Sequence, residues 1–276
     1  MADKTLDPGD STVLVEVTDG VGVITLNRPE ARNAFTPAMG IVLGNALAMV
    51  ETDPDVRCVV LTGAGKGFCA GGDVKNMAEE GDGTVGNNTL DEAIHKQRLN
   101  HRATSGALFR MPKPTLAALP GAAAGAGLAF ALACDMRIMV SSAVMMTAFK
   151  NVGFSGDYGG TYFMSQLVGT AKARELYFLS PRITSADALS LGLTNWVCEP
   201  DELMDRAMTI ARELAAGPTI AFRYMKENLN RALTSGDLDD CMDLEATHHL
   251  HCGQTEDHQN AARAFVEKKT PVFNGR

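Results

Sequence analysis

The chain has 276 residues, 45% of them hydrophobic and 21% charged, proportions of a globular protein with a core rather than of a disordered or fibrous one. A formal net charge of -8 argues against nucleic acid or an anionic membrane as partner, because either would be repelled without a local basic patch. No apolar run reaches the roughly 18 to 20 residues of a membrane span, and residues 1–12 are polar and acidic, unlike a secretory signal or an organelle transit peptide.

Residues 13–17 and 21–26 are β-branched runs joined by Thr18-Asp19-Gly20, which predicts a hairpin with a glycine-bearing turn. Over 37–53, Met39, Leu43, Ala46, Leu47 and Val50 recur at helical spacing behind a Thr36 N-cap and Pro37 at the first helical position. The apolar run 56–62 predicts a strand buried in a parallel sheet, and it enters the glycine loop GAGKGFCAGGD. Residues 74–88 are acidic, glycine-rich and aperiodic, as expected of a surface segment or lid. A helix is predicted over 90–111, stopped by Pro112 and Pro114, then a strand over 115–119 and a second glycine loop over 121–127. A helix apolar on every face follows over 126–134, then a strand over 135–140. The repeat of strand, glycine loop and helix predicts an α/β domain with a mostly parallel sheet, whose ligands sit at the carboxyl ends of the strands. Beyond Gly160 the chain reads as helices over 162–168, 171–179, 185–191, 203–216, 218–233, 238–253 and 256–268, with one strand at 194–198. The expected division is an α/β core over 1–200 and a helical region over 201–276.

The glycine loops admit several chemistries. Gly125-Ala126-Gly127 begins like a dinucleotide fingerprint, but Phe130 stands at the third glycine and no acid follows about 20 residues on. Gly63-Ala64-Gly65-Lys66-Gly67 lacks the first glycine and the Ser/Thr of a phosphate-binding loop. Each loop alone is explained by a tight turn needing small residues. Two such loops, each between a buried strand and a helix, also allow two backbone N–H groups to converge as an oxyanion hole.

Phe68-Cys69-Ala70-Gly71-Gly72-Asp73, then Gly121 to Gly127 leading to Cys134-Asp135, resemble the two signature loops of the crotonase (enoyl-CoA hydratase/isomerase) superfamily. The resemblance runs from Val13 to Phe273 and takes in Asn27-Arg28-Pro29 and Asn33-Ala34. It implies a spiral of ββα units ending in a helical trimerisation region over 201–276, assembled as a homotrimer or as a hexamer of two trimers. It implies oxyanion N–H groups on Gly72 and Ala126 that grip the thioester oxygen of an acyl-CoA. It implies a coenzyme A site at Ala31, Arg32 and Ala70, with Phe265 and Lys268 contributing from the C-terminal helix. No separate cofactor is expected, coenzyme A being part of the substrate.

Family hydratases carry two glutamates at positions held here by Ala129 and Phe149. Neither side chain transfers a proton, which argues against hydration by the two-glutamate route. Asp157, within FKNVGFSGDYGGT, stands where the family's isomerases and its aryl-CoA dehalogenases carry an aspartate. The surroundings resemble the ring-opening epoxyphenylacetyl-CoA isomerases of phenylacetate breakdown, except that Ser155-Gly156 replaces an apolar residue and proline. Beside an apolar acyl pocket a carboxylate has a raised pKa, which suits one base moving a proton from C2 to C4. Spacing alone favours Asp157 as a cap of the helix beginning near Tyr158, and the resemblance of the loops reverses that in favour of catalysis. Ala129, Phe149 and Tyr158 are expected to shape the acyl pocket. Isomerase, hydratase with a non-standard acid/base, nucleophilic catalysis by Asp157 and non-catalytic acyl-CoA binding all remain open. His248, His249, His251, Cys252 and His258 lack a ligand spacing, so no metal is expected. Six cysteines without paired spacing suit reduced core residues of a cytoplasmic protein.

Overall fold

In the computed structural model, which describes residues 3–80 and 88–276, β1 (Lys4–Leu6) lies against β2 (Val13–Thr18), and β2 turns into β3 (Val21–Leu26). Asp19 and Gly20 both sit at positive φ, the turn that matches the twist of paired strands. In β2 the valines at 13, 15 and 17 face the core, while Leu14 and Glu16 face out. From β3 the sheet continues in parallel through β4 (Cys58–Gly63), β6 (Thr115–Leu119), β8 (Met136–Val140) and β11 (Trp196–Cys198). Every residue of β4 and β6 is buried, as the unbroken apolar runs predict.

A second, smaller sheet has the order β10-β9-β7-β5. It consists of β5 (Gly67–Cys69), β7 (Ala122–Ala124), β9 (Val144–Met146) and β10 (Ile183–Thr184). Strands β5, β7 and β9 run parallel, and β10 pairs antiparallel with β9. Two of these strands come from the glycine loops themselves.

Helix α1 (Pro37–Thr52) starts where expected, with the Thr36 hydroxyl accepting the Met39 N–H at 3.2 Å. Helix α2 (Val74–Glu80) occupies the first part of the segment read as aperiodic, while residues 81–87 of that segment lie outside the described residues. The single helix expected over 90–111 is two, α3 (Leu90–Ala103) and α4 (Ser105–Arg110). At the break the Thr104 hydroxyl donates to the Asn100 carbonyl at 2.7 Å and the Ser105 hydroxyl to the His101 carbonyl at 3.2 Å. Such back-bonding to carbonyls four residues earlier bends a helix without any glycine or proline.

Helix α5 (Ala126–Ala133) is buried on every face. Burying Phe130 and Leu128 there stabilises the fold by about 1.5–3 kcal/mol each. Helix α6 (Gly160–Leu179) joins the two helices expected at 162–168 and 171–179, and Gly169, at φ 75°, marks the joint. After α7 (Ser185–Ser190), α8 (Leu203–Ala215) buries Leu203, Ala207, Ala211 and Ala215 over the large sheet. Helices α9 (Thr219–Ser235), α10 (Leu238–Gly253) and α11 (Glu256–Val266) complete the chain.

Lys226 of α9 is buried and donates to Asp135 at 2.9 Å and to the Leu108 carbonyl at 3.0 Å. Asp135 also accepts the N–H and the hydroxyl of Thr115, so one carboxylate pins α9 to the start of β6. Elsewhere α9 exposes Met225, Leu229 and Leu233, and α11 exposes Phe265 and Val266. Cys58, Cys69, Cys134 and Cys198 are buried, Cys241 and Cys252 are half-buried, and all six are free thiols. Among the described residues no helix is long and apolar enough to cross a membrane.

Candidate active site

Strands β5, β7 and β9 are parallel neighbours, so their carboxyl ends emerge side by side. Each leads into one segment of a cavity of about 780 Å³. After β5 comes Gly72, after β7 Ala126, and after β9 the longer loop that carries Phe149, Asp157 and Tyr158. The opposite wall is one face of α3, with Leu90, Ala93, Ile94, Gln97 and His101.

The first two loops touch through their backbones. A Cβ on Gly71, which sits at φ +91°, would meet the Ala124 carbonyl oxygen at 2.9 Å. One on Gly127 would strike the Cys69 carbonyl. Only glycine allows this approach. Phe35 donates its N–H to Gly71 and accepts that of Asp73, forming a parallel bridge opposite Gly72. Because successive peptide N–H groups of extended chain alternate in direction, the Gly72 N–H is turned away from Phe35. Ala126 is the first residue of α5, where a helix leaves its N–H groups without an intrahelical acceptor. Asp73 pairs with Arg28 at 3.0 Å, and buried Asn33 accepts the Arg28 N–H while donating to the Ala64 and Gly67 carbonyls. These polar residues hold the first loop in place.

Asp157 lines the cavity on the loop after β9. Its backbone carbonyl accepts the Gly160 N–H at 2.9 Å, but its side chain does not cap α6, whose N-cap is Gly159. Its Oδ1 is buried and has no hydrogen-bond partner among the described residues. Burial pushes its pKa from the ordinary 3.8 up to about 7, because a desolvated carboxylate favours its neutral form. Next to it, Tyr158 lies in the left-handed region at φ 49°, a conformation that costs a bulky residue roughly 1 kcal/mol or more. Its ring packs against Phe35, Phe130 and His101 with centroids 5.5, 4.9 and 4.4 Å away.

The enoyl-CoA hydratase/isomerase family profile matches residues 16–276. The chain belongs to this family. It is 35% identical to the 1,2-epoxyphenylacetyl-CoA isomerase of Escherichia coli (strain K12), over 96% of this chain and 98% of that one. It is 34% identical to the short-chain-enoyl-CoA hydratase of Clostridium acetobutylicum, over 94% and 96%. The solved structure of an enoyl-CoA hydratase from Bacillus anthracis superposes with a TM-score of 0.87 at 30% identity, covering 96% of this chain and all of that one. The α/β core with its helical C-terminal region is therefore the crotonase fold, and the chain is an acyl-CoA enzyme of the enoyl-CoA hydratase/isomerase family.

For such an enzyme, the residues expected at the site divide into four groups. Gly72, Ala126, Phe149, Asp157 and Tyr158 line one cavity. Ala129, expected in the acyl pocket, is instead buried behind the lining and packs towards Gly160, because it faces inward from a helix surrounded by core. Phe149 presents an aromatic face, stacked on Tyr177 with centroids 6.0 Å apart. Arg32 accepts the Ala70 N–H through its carbonyl at 3.1 Å, so Ala31, Arg32 and Ala70 form one patch of accessible surface at the first loop. Phe265 and Lys268 are not brought to the cavity lining within one chain; α11 packs on α10 and Phe265 is 86% exposed.

His101 and Gln97 were not expected. No spacing signal marks them, since an amphipathic helix face carries His or Gln for many reasons and only the fold sets this one against a loop 57 residues on. Among the described residues no group of three His, Cys, Asp or Glu is gathered as metal ligands. Instead, His248 stacks on Tyr224 at 4.2 Å and meets Asn228.

Proposed function

We propose that this chain is an isomerase that shifts a double bond, or rearranges a strained ring, in an unsaturated acyl-CoA through a thioester enolate. The observation that carries the reading is a buried Asp157 carboxyl whose Oδ1 has no hydrogen-bond partner among the described residues, lining the same cavity as Gly72 and Ala126, while the two glutamate positions hold Ala129 and Phe149. The Gly72 and Ala126 N–H groups would receive the thioester oxygen and stabilise the negative charge that builds on it. Asp157, as carboxylate, would take a proton from C2, leaving the enolate, and return it at C4, so the double bond moves from C3–C4 to C2–C3. Ala31, Arg32 and Ala70 would meet the coenzyme A. The aromatic lining of Phe35, Phe149 and Tyr158 suits a planar or cyclic acyl group. Cytoplasmic residence agrees with six free thiols.

Incubation with a 3-enoyl-CoA in deuterated water tests this. The expected product is the 2-enoyl thioester, and Asp157→Asn should lower its rate about 10³-fold while acyl-CoA still binds. Undiminished turnover by that variant would defeat the reading. A second reading, hydration with Asp157 directing a water, is favoured by the 34% identity to a short-chain-enoyl-CoA hydratase, and a product heavier by one water would establish it.

A further inference from the structure

The left-handed tyrosine beside the proposed base needs something to hold it, and α3 provides it. The Nε2 of His101 lies 3.4 Å from the Tyr158 backbone nitrogen, which donates to it, and 2.9 Å from Nε2 of Gln97. Both neighbours are donors, so His101 Nε2 serves as acceptor and the ring proton resides on Nδ1. Burial keeps the imidazole pKa below its ordinary 6.5, which preserves that neutral form. The His101 ring also packs on the Tyr158 ring, centroids 4.4 Å apart, so α3 holds this residue by its backbone and by its ring. The charged or titratable groups that share the cavity with His101 are Arg98 on its own helix and Asp157 and Tyr158 on the loop, while the start of α1 contributes Thr36 and Pro37.

We infer that His101 is a positioning residue for the reaction: by accepting the Tyr158 N–H it fixes the left-handed turn that aims the Asp157 carboxyl into the cavity. The inference rests on the proposed role of Asp157. Among the described residues no hydrogen bond to Oδ1 orients the Asp157 carboxyl, while its backbone is anchored one residue later by the Tyr158 N–H. Without the acceptor, the strained turn relaxes and the carboxyl rotates toward water.

Two variants separate the acceptor from the ring. His101→Gln keeps an acceptor at about the reach of Nε2, whereas His101→Phe keeps the aromatic packing and removes the acceptor. Two readouts are taken on each. In the first, protein labelled with ¹³C at aspartate carboxyls is titrated by NMR, with the Asp157 signal assigned from Asp157→Asn. His101→Phe should bring the Asp157 titration down toward the ordinary carboxylate range, and His101→Gln should leave it near the parent. In the second, exchange of the C2 protons of phenylacetyl-CoA into deuterated water should fall about 10²-fold in rate at saturation for His101→Phe, with the half-saturating concentration within about threefold, and His101→Gln should recover most of it. Equal Asp157 titration in His101→Phe and parent, or equal loss in both variants, would overturn the inference. If Asp157→Asn exchanges C2 protons like the parent, the base reading fails instead, and the titration still judges the role of His101.

Discussion

At the scale of single residues, the proposed chemistry depends on a carboxyl whose environment opposes its charge. With the Asp157 pKa near 7, C2 exchange should rise about tenfold per pH unit below neutrality and level off above it, as a rate profile will show. Stability runs the other way. The folded value is raised above the ordinary 3.8, so the folded state holds this proton more tightly and loses stability as pH climbs from about 4 to about 7. Asp157→Asn removes that cost. It should be more stable than the parent by on the order of 4 kcal/mol at pH 8 and by nothing near pH 3, measured by urea melts at both. Asp157 itself was legible, because it stands alone among glycines in a stretch with no other acid. Whether it caps a helix or faces a ligand was not, since both roles put the same residue type at the same place. His101 was invisible for a related reason, its partner being a backbone N–H that carries no residue signature.

Among elements, the long apolar strands and α5 could be read directly, because continuous burial writes itself as continuous Val, Leu and Ala. The small sheet could not. Strands β5 and β7 are three residues each and are built of Gly, Phe, Cys and Ala from loops, so their pairing shows only once the large sheet has set them side by side. Glycine is the reason they fit. Gly127→Ala would place a Cβ 2.5 Å from that of Cys69 and against its carbonyl, with no flexible side chain to give way. It should cost about 3 kcal/mol in a denaturant melt and reduce C2 exchange with it. The tie between α9 and the core is also exact in its demands. Lys226→Met leaves Asp135 without its buried cation, a loss of about 3–5 kcal/mol, and the melt of that variant checks it.

For the whole molecule, the exposed stripe of Met225, Leu229 and Leu233 recurs every fourth residue along α9, and an apolar face of this kind asks for a partner. A homotrimer through the C-terminal helices is the assembly we expect, and sedimentation should report about three times 29.3 kDa. Leu229→Glu should shift the protein to single chains. Only an assembly that sets α11 of one copy beside the cavity of another would make Phe265 and Lys268 part of a coenzyme A site. The distribution of thiols gives the same molecule a clock for its own opening. Burial pushes the Cys69 thiol up to about 12, and its sulfur lies beneath Gly127, where the two glycine loops meet. An alkylating reagent therefore reaches Cys241 and Cys252 at once, but reaches Cys69 only in the moments when the loops part. The rate at which Cys69 itself is alkylated, read from its own peptide, counts those moments, and an acyl-CoA bridging the loops should lengthen the interval between them.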